Sequence, residues 1–102
     1  MYLFPEHDQK PARATLFDNK NYRNKEEYNE RQSWEPGCMN FRTLDQNVGY
    51  IQTHDTCISL FMERNCKGWQ TKFFKDSRVL NGPWRFKFRS IGPCADALRP
   101  SQ

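Results

Sequence analysis

His7 and His54 are the only side chains in this sequence that could exchange protons near neutral pH. His54 is followed directly by Asp55, and Glu63, Arg64 and Arg89 lie further along the same half of the chain. Imidazole, carboxylate and guanidinium together are what a small ribonuclease needs: two groups for proton transfer and one to hold the phosphate charge. The simpler reading places His54 and Asp55 in a turn, where Asp is a common residue, and His7 in an arm. No Ser, His and Asp follow one another in a nucleophile order. The five glycines form no phosphate-cradling loop, and no His pair has metal-ligand spacing. A second chemical signal is residues 84–89, Trp-Arg-Phe-Lys-Phe-Arg, where aromatics alternate with cations. Exposed rings and cations could stack bases and hold phosphates. Alternation also fits a strand with Phe86 and Phe88 in a core and Arg85, Lys87 and Arg89 outside. The second arrangement is the favoured one, so nucleic acid is a secondary partner class.

The four cysteines, Cys38, Cys57, Cys66 and Cys94, are an even number in a short chain. That reads as two disulfides and an oxidising compartment, hence a secreted protein. A four-cysteine zinc site would bring its ligands as close pairs, whereas the nearest two here are nine positions apart. Paired cysteines also leave no thiolate nucleophile. Residues 1–7 turn polar too soon for a signal peptide, so a secreted protein of this sequence would be a mature form carrying an added Met1.

The chain has 102 residues, enough for one domain, and its mean hydropathy is −1.00. No apolar run is long enough to span a bilayer. Aromatics make up 15% of the residues, which argues against disorder, and their dominance over Ala and Leu argues against a helical bundle. Charge is divided unequally. Residues 1–56 carry seven basic and nine acidic side chains; residues 57–102 carry nine basic and three acidic, a net of +6. The second half is therefore suited to an acidic surface or target. Its exposed candidates for binding are Arg64, Lys67, Trp69, Lys72, Lys75, Arg78, Arg85, Lys87 and Arg89. Trp34 and Trp69 follow loop signals, and either could serve as an interface anchor or bridge two sheets.

Positioning such side chains falls to a duplicated unit. Residues 15–24 (TLFDNKNYRN) align with residues 59–68 (SLFMERNCKG) at an offset of 44, and residues 48–51 echo residues 88–91 at an offset of 40. Strands are expected at residues 14–17, 25–28, 38–41, 49–53, 57–62, 69–74 and 85–91, with hairpins at 18–24 and 63–68. Residues 25–31, rich in Glu and Lys, could alternatively form a helical turn. Gly68 provides the positive φ that closes the second hairpin, and Asn24 holds the matching place in the first. Two such units imply two packed antiparallel sheets. Residues 1–13 and 95–102 have no repeat and read as arms, with Pro5, Pro11 and Pro100 in support.

The pattern of an aromatic, six residues and then glycine runs in full from Phe61 to Gly68, and with the glycine replaced from Phe17 to Asn24. Over residues 14–94 the chain resembles the βγ-crystallin family: an all-β, two-sheet Greek-key sandwich of two motifs, here about 14–54 and 55–94. In that family the aromatic packs beneath the folded hairpin and a late serine holds it down. Ser90 matches this serine, while Tyr50 stands in its place in the first motif. The basic, cysteine-containing version looks like small secreted members from fungi and bacteria more than eye-lens proteins. Many microbial members bind Ca²⁺ through a stretch of two Asn or Asp, two variable residues and two hydroxyls. Here those stretches read Asp45-Gln-Asn-Val-Gly-Tyr50 and Arg85-Phe-Lys-Phe-Arg-Ser90. One carboxylate survives in the first, and Arg85 and Arg89 place cations in the second. Each like charge at a cation site costs about 1 kcal/mol or more. No functional calcium site and no other cofactor is expected, and disulfides would stabilise instead.

Three cysteine pairings can be drawn. Cys57 opens one strand and Cys94 closes the strand expected beside it, which favours Cys57–Cys94 and leaves Cys38–Cys66. Cys38–Cys94 also fits a third strand that crosses into the other sheet. The resemblance implies a monomeric, non-catalytic secreted protein that binds a protein or cell-surface target, in the manner of toxin-like, antimicrobial or effector members. The alternatives are a ribonuclease built on His54 and a structural or storage crystallin.

Overall fold

A computed structural model describes residues 11–19, 23–33, 37–79 and 87–94. Eight strands occur in it: β1 (Arg13–Asp18), β2 (Lys25–Asn29), β3 (Met39–Asn40), β4 (Val48–Gln52), β5 (Ile58–Glu63), β6 (Lys67–Phe73), β7 (Ser77–Arg78) and β8 (Ser90–Pro93). They form two antiparallel four-stranded sheets, ordered β2-β1-β4-β7 and β3-β8-β5-β6. Each sheet takes three strands from one half of the chain and its remaining edge strand from the other. β3 joins the second sheet and β7 joins the first. This exchange is the Greek-key crossover, repeated in both halves.

Alternation along the strands decides which side chains enter the sandwich. Leu16 lies opposite Ile51 and Leu60 opposite Ile91, and all four are fully buried. Ala14, Tyr28, Val48, Ile58 and Phe88 belong to the same core, with Ala12, Phe41, Leu44 and Val79. The next residue along points the other way, so Phe17 meets Tyr50 and Phe61 meets Ser90 on the outer faces. Both hairpins then fold over those faces. A register shift follows each aromatic, between Phe17 and Asp18 and between Phe61 and Glu63. Such bulges bend the strand sharply.

Two disulfides staple this frame, Cys38–Cys66 and Cys57–Cys94. The first ties the chain just before β3 to the β5–β6 hairpin and so links the two motifs. The second joins the start of β5 to the end of β8.

Several expectations need correction. Residues 87–89 are not strand, and β8 begins only at Ser90. Phe88 is nevertheless buried and Lys87 exposed, as alternation demanded. The third strand of the first motif contracts from residues 38–41 to Met39–Asn40. Residues 25–29 are strand, and helical character is confined to a 3₁₀ turn at Glu30–Gln32. The Asn29 side chain caps that turn by accepting from Arg31 N at 3.0 Å. Asn24 is not among the described residues with positive φ, whereas Gly68 is, at 80°. The first hairpin closes instead through Asp18 N donating to Asn24 O at 3.0 Å. The sandwich also starts before residue 14. Ala12 is fully buried, and its N–H donates to Glu30 Oε1 at 2.8 Å. His7, Trp34, Trp84, Arg85, Phe86, residues 20–22, most of the N-terminal arm and the tail from residue 95 lie outside the described residues.

Candidate functional site

The ribonuclease constellation does not assemble. His54 occupies the turn between β4 and β5, at φ 49°, with Asp55 at φ 63°. Its Nε2 lies 2.8 Å from Thr15 Oγ1. Thr56 N closes the turn onto Thr53 O at 2.9 Å. Glu63 is at the opposite end of β5, roughly 17 Å of strand away, with Arg64 beyond it. The two ends of the sheet therefore separate the imidazole from the carboxylate and guanidinium it would need.

The second hairpin is held by one hydroxyl. Ser90 Oγ accepts from Cys66 N at 2.9 Å and donates to Glu63 O at 2.5 Å. Gly68 lets the hairpin close, because a Cβ there would meet Glu63 Cγ at 2.8 Å. In the first motif Tyr50 takes the position of Ser90 and packs its ring at 6.0 Å from that of Phe17. Asn19 N donates to Asn47 O at 2.9 Å, which brings the hairpin down on β4. The approach is so close that a Cβ on Gly49 would fall 2.3 Å from Asn19 Cα.

That geometry bears on the cation positions implied by the resemblance, and these do not fit calcium. The carboxylate of Asp45 accepts two hydrogen bonds from Arg89, at 3.1 and 3.2 Å. The bonds and the opposite charge push the guanidinium further up from an already high pKa. Gly49 lacks the hydroxyl ligand and has no room for one. Ser90, the hydroxyl of the second stretch, is committed to the hairpin. Among the described residues, no three His, Cys, Asp or Glu side chains are grouped to hold a metal ion.

Two carboxylates missed in the sequence reading do structural work. Glu26 is buried and accepts from Arg42 N, Thr43 Oγ1 and Leu44 N at 2.8–3.2 Å, which fixes the loop before β4. Its parity with Tyr28 along β2 was the available signal, since both must face inward. Asp76 accepts from Thr53 N at 2.9 Å and fixes the end of β4.

The basic candidates divide. Arg89 is half-buried on Asp45, and Lys87 is exposed just before β8. Arg64 is exposed in the β5–β6 hairpin. Lys67, Trp69 and Lys72 belong to β6, the edge of the second sheet, and Lys75 and Arg78 continue from it into β7. Exposure along β6 is high, and Trp69 and Phe74 are the exposed large hydrophobic residues of the described chain, at 52% and 61%. Trp69 stacks on the buried ring of Phe88 at 6.5 Å, with 19° between the planes. Its ring thus packs against a core residue while about half of its surface stays exposed. Phe74 closes the strand expected at residues 69–74, but β6 ends at Phe73. Only Phe73 packs against the core.

No family model and no curated protein matches the chain. Solved structures do. A βγ-crystallin domain from Flavobacterium johnsoniae is similar over 78% of this chain and 90% of its own, with a TM-score of 0.53 and 18% identity. The N-terminal domain of protein S is similar over 79% of this chain and 93% of its own, with a TM-score of 0.54 and 17% identity. The fold is that of a βγ-crystallin domain.

Proposed function

From a disulfide-stapled βγ-crystallin sandwich, we propose a secreted, non-catalytic binding protein that engages an acidic protein or cell-surface target, as a toxin-like or effector-like module does. The supporting observation is the segment from β6 through β7, along which Lys67, Lys72, Lys75 and Arg78 are exposed together with the rings of Trp69 and Phe74. Exposed large aromatics beside cations form interface anchors, because the ring supplies area at little entropic cost and the cations supply attraction. Two disulfides suit an oxidising, extracellular setting. No helix of the described residues is long and apolar enough to cross a membrane. The sandwich acts as a monomeric scaffold, and catalysis is not required of it.

The test is capture from candidate host or competitor extracts with tagged protein, followed by affinity measurement on the captured partner. A variant carrying Lys72→Glu, Lys75→Glu and Arg78→Glu is expected to lose affinity while keeping its thermal midpoint. Unchanged affinity would remove the basic edge from the account.

A further inference from the structure

We propose that the Cys38–Cys66 disulfide is a redox-sensitive latch. A dithiol opens it and frees residues 37–40, while Cys57–Cys94 stays closed and the sandwich stays folded. This device belongs to the scaffold and does not depend on what the scaffold binds.

The two bridges differ in access and in what else holds their cysteines together. Cys57 and Cys94 are buried, at 7% and 0%, whereas Cys38 and Cys66 are half-buried. Exchange requires a thiolate to reach sulfur, so access favours Cys38–Cys66. Cys57 and Cys94 flank the pairing of β5 with β8, the two inner strands of the second sheet, which runs from Ile58 and Pro93 to Phe61 and Ser90. Cys94 N also donates to Cys57 O at 3.3 Å. Parting those two sulfurs would split the sheet. Cys38 instead precedes a strand of two residues, paired with β8 through Met39 and Ile91 and through Asn40 and Ser90.

The noncovalent contacts decide which side moves. Ser90 Oγ accepts from Cys66 N at 2.9 Å, so Cys66 stays seated on its own sheet without the bridge. Its Sγ lies 3.1 Å from Ile91 O, and a thiol formed there donates to that carbonyl in place. Residues 37–40 are held less firmly. Tyr28 donates to Gly37 O at 3.2 Å. The Asn40 side chain accepts from Asn65 N at 2.7 Å and donates to Asn65 Oδ1 at 3.1 Å. That amide pair is exposed, so water competes for both bonds. Detachment stops at Phe41, which is buried in the core and whose N–H donates to Arg89 O at 3.0 Å.

The chemistry is thiol–disulfide exchange. A thiolate of the dithiol attacks one sulfur of the bridge, a mixed disulfide forms, and the other cysteine leaves as a thiolate that takes up a proton. The second thiol of the reagent loses its proton and displaces the remaining cysteine. The bridge gains two electrons and two protons and becomes two thiols, and the dithiol becomes a cyclic disulfide.

The experiment treats the intact chain with limiting dithiothreitol at mildly alkaline pH without denaturant. One set of samples is alkylated over time with N-ethylmaleimide and mapped by mass spectrometry, and an unalkylated set is followed by hydrogen exchange. Cys38 and Cys66 are expected to label together, about tenfold faster than Cys57 and Cys94. At that stage the amides of Met39 and Asn40 should exchange about tenfold faster while β1 and β4 are unchanged, and oxidised glutathione should restore the protection. Equal labelling of all four cysteines, or earlier labelling of Cys57 and Cys94, overturns the proposal. Loss of protection in β1 and β4 together with β3 overturns it as well, because the bridge would then hold the whole fold. Unaltered protection at Met39 and Asn40 does the same, because nothing would then be released.

Discussion

Ser90 and Tyr50 show how one position can do the same task by different chemistry. Ser90 satisfies two backbone groups of the β5–β6 hairpin, while Tyr50 offers a ring to Phe17. Ser90→Ala is expected to destabilise the fold by about 2 kcal/mol in urea unfolding, about 1 kcal/mol for each buried hydrogen bond lost. Tyr28 sets a pH limit. Burial, then the negative charge of Glu30, push its hydroxyl up from the usual 10.0. The folded state therefore keeps a proton that the unfolded chain loses above about pH 10. Its contribution is complete below that pH and declines as pH rises toward the raised value. Thermal midpoints measured across the alkaline range are expected to fall, and Tyr28→Phe should flatten the fall. The same variant forfeits the 3.2 Å bond to Gly37 O and starts from a lower midpoint at neutral pH. At this scale the sequence was legible where one residue imposes geometry, as at Gly68 and Phe61. It was not legible where partners come from distant segments. Nothing local tells that Arg89 will close on Asp45, or that Glu26 will hold the loop at Arg42–Leu44.

Strands β1, β4, β5 and β6 were readable because alternation and β-branched or aromatic residues agree within each, whereas β2, with Lys25, Glu26 and Glu27, was open to a helical turn as well. β8 was misplaced. Residues 85–89 alternate as a strand should, yet residues 87–89 lack regular pairing. Arg89 N still donates to Phe61 O of β5, but Phe41 N donates to Arg89 O and Gln46 N to Phe88 O, so the backbone there is shared with the loop before β4. β3 is short for the matching reason. It is an edge strand imported from the other motif, pinned beside β8 by the Cys38–Cys66 bridge. Bridging residues 28 positions apart removes about 3–4 kcal/mol of chain entropy from the unfolded state. Replacing Cys38 and Cys66 together by serine should lower stability by that order in denaturant titration. The β3–β8 amides should lose exchange protection before those of β1 and β4.

The whole molecule is two motifs that each lend an edge strand to the other. Repetition at an offset of 44 was enough to find the duplication, and the family resemblance supplied the crossover that repetition alone leaves undetermined. Each half lacks one edge strand of its own sheet and the opposing sheet that buries its apolar face. A fragment of residues 1–54 is thus expected to lack strand circular dichroism, and to regain it when mixed with residues 55–102 under oxidising conditions. A folded isolated half would contradict the exchanged topology. Function was the least legible level, since a net of +6 spread over 46 positions does not reveal an edge. Folding leaves Lys67, Trp69 and Lys72 exposed along β6 and Phe74, Lys75 and Arg78 exposed in the passage from it through β7.

The most direct test of a binding edge is the salt dependence of affinity for the captured partner, measured on the wild-type chain and on the Lys72→Glu, Lys75→Glu, Arg78→Glu variant. Wild-type affinity should fall steadily as sodium chloride is raised, while the variant starts weaker and loses the dependence. Wild-type affinity that is indifferent to salt, matched by the variant, would contradict the account.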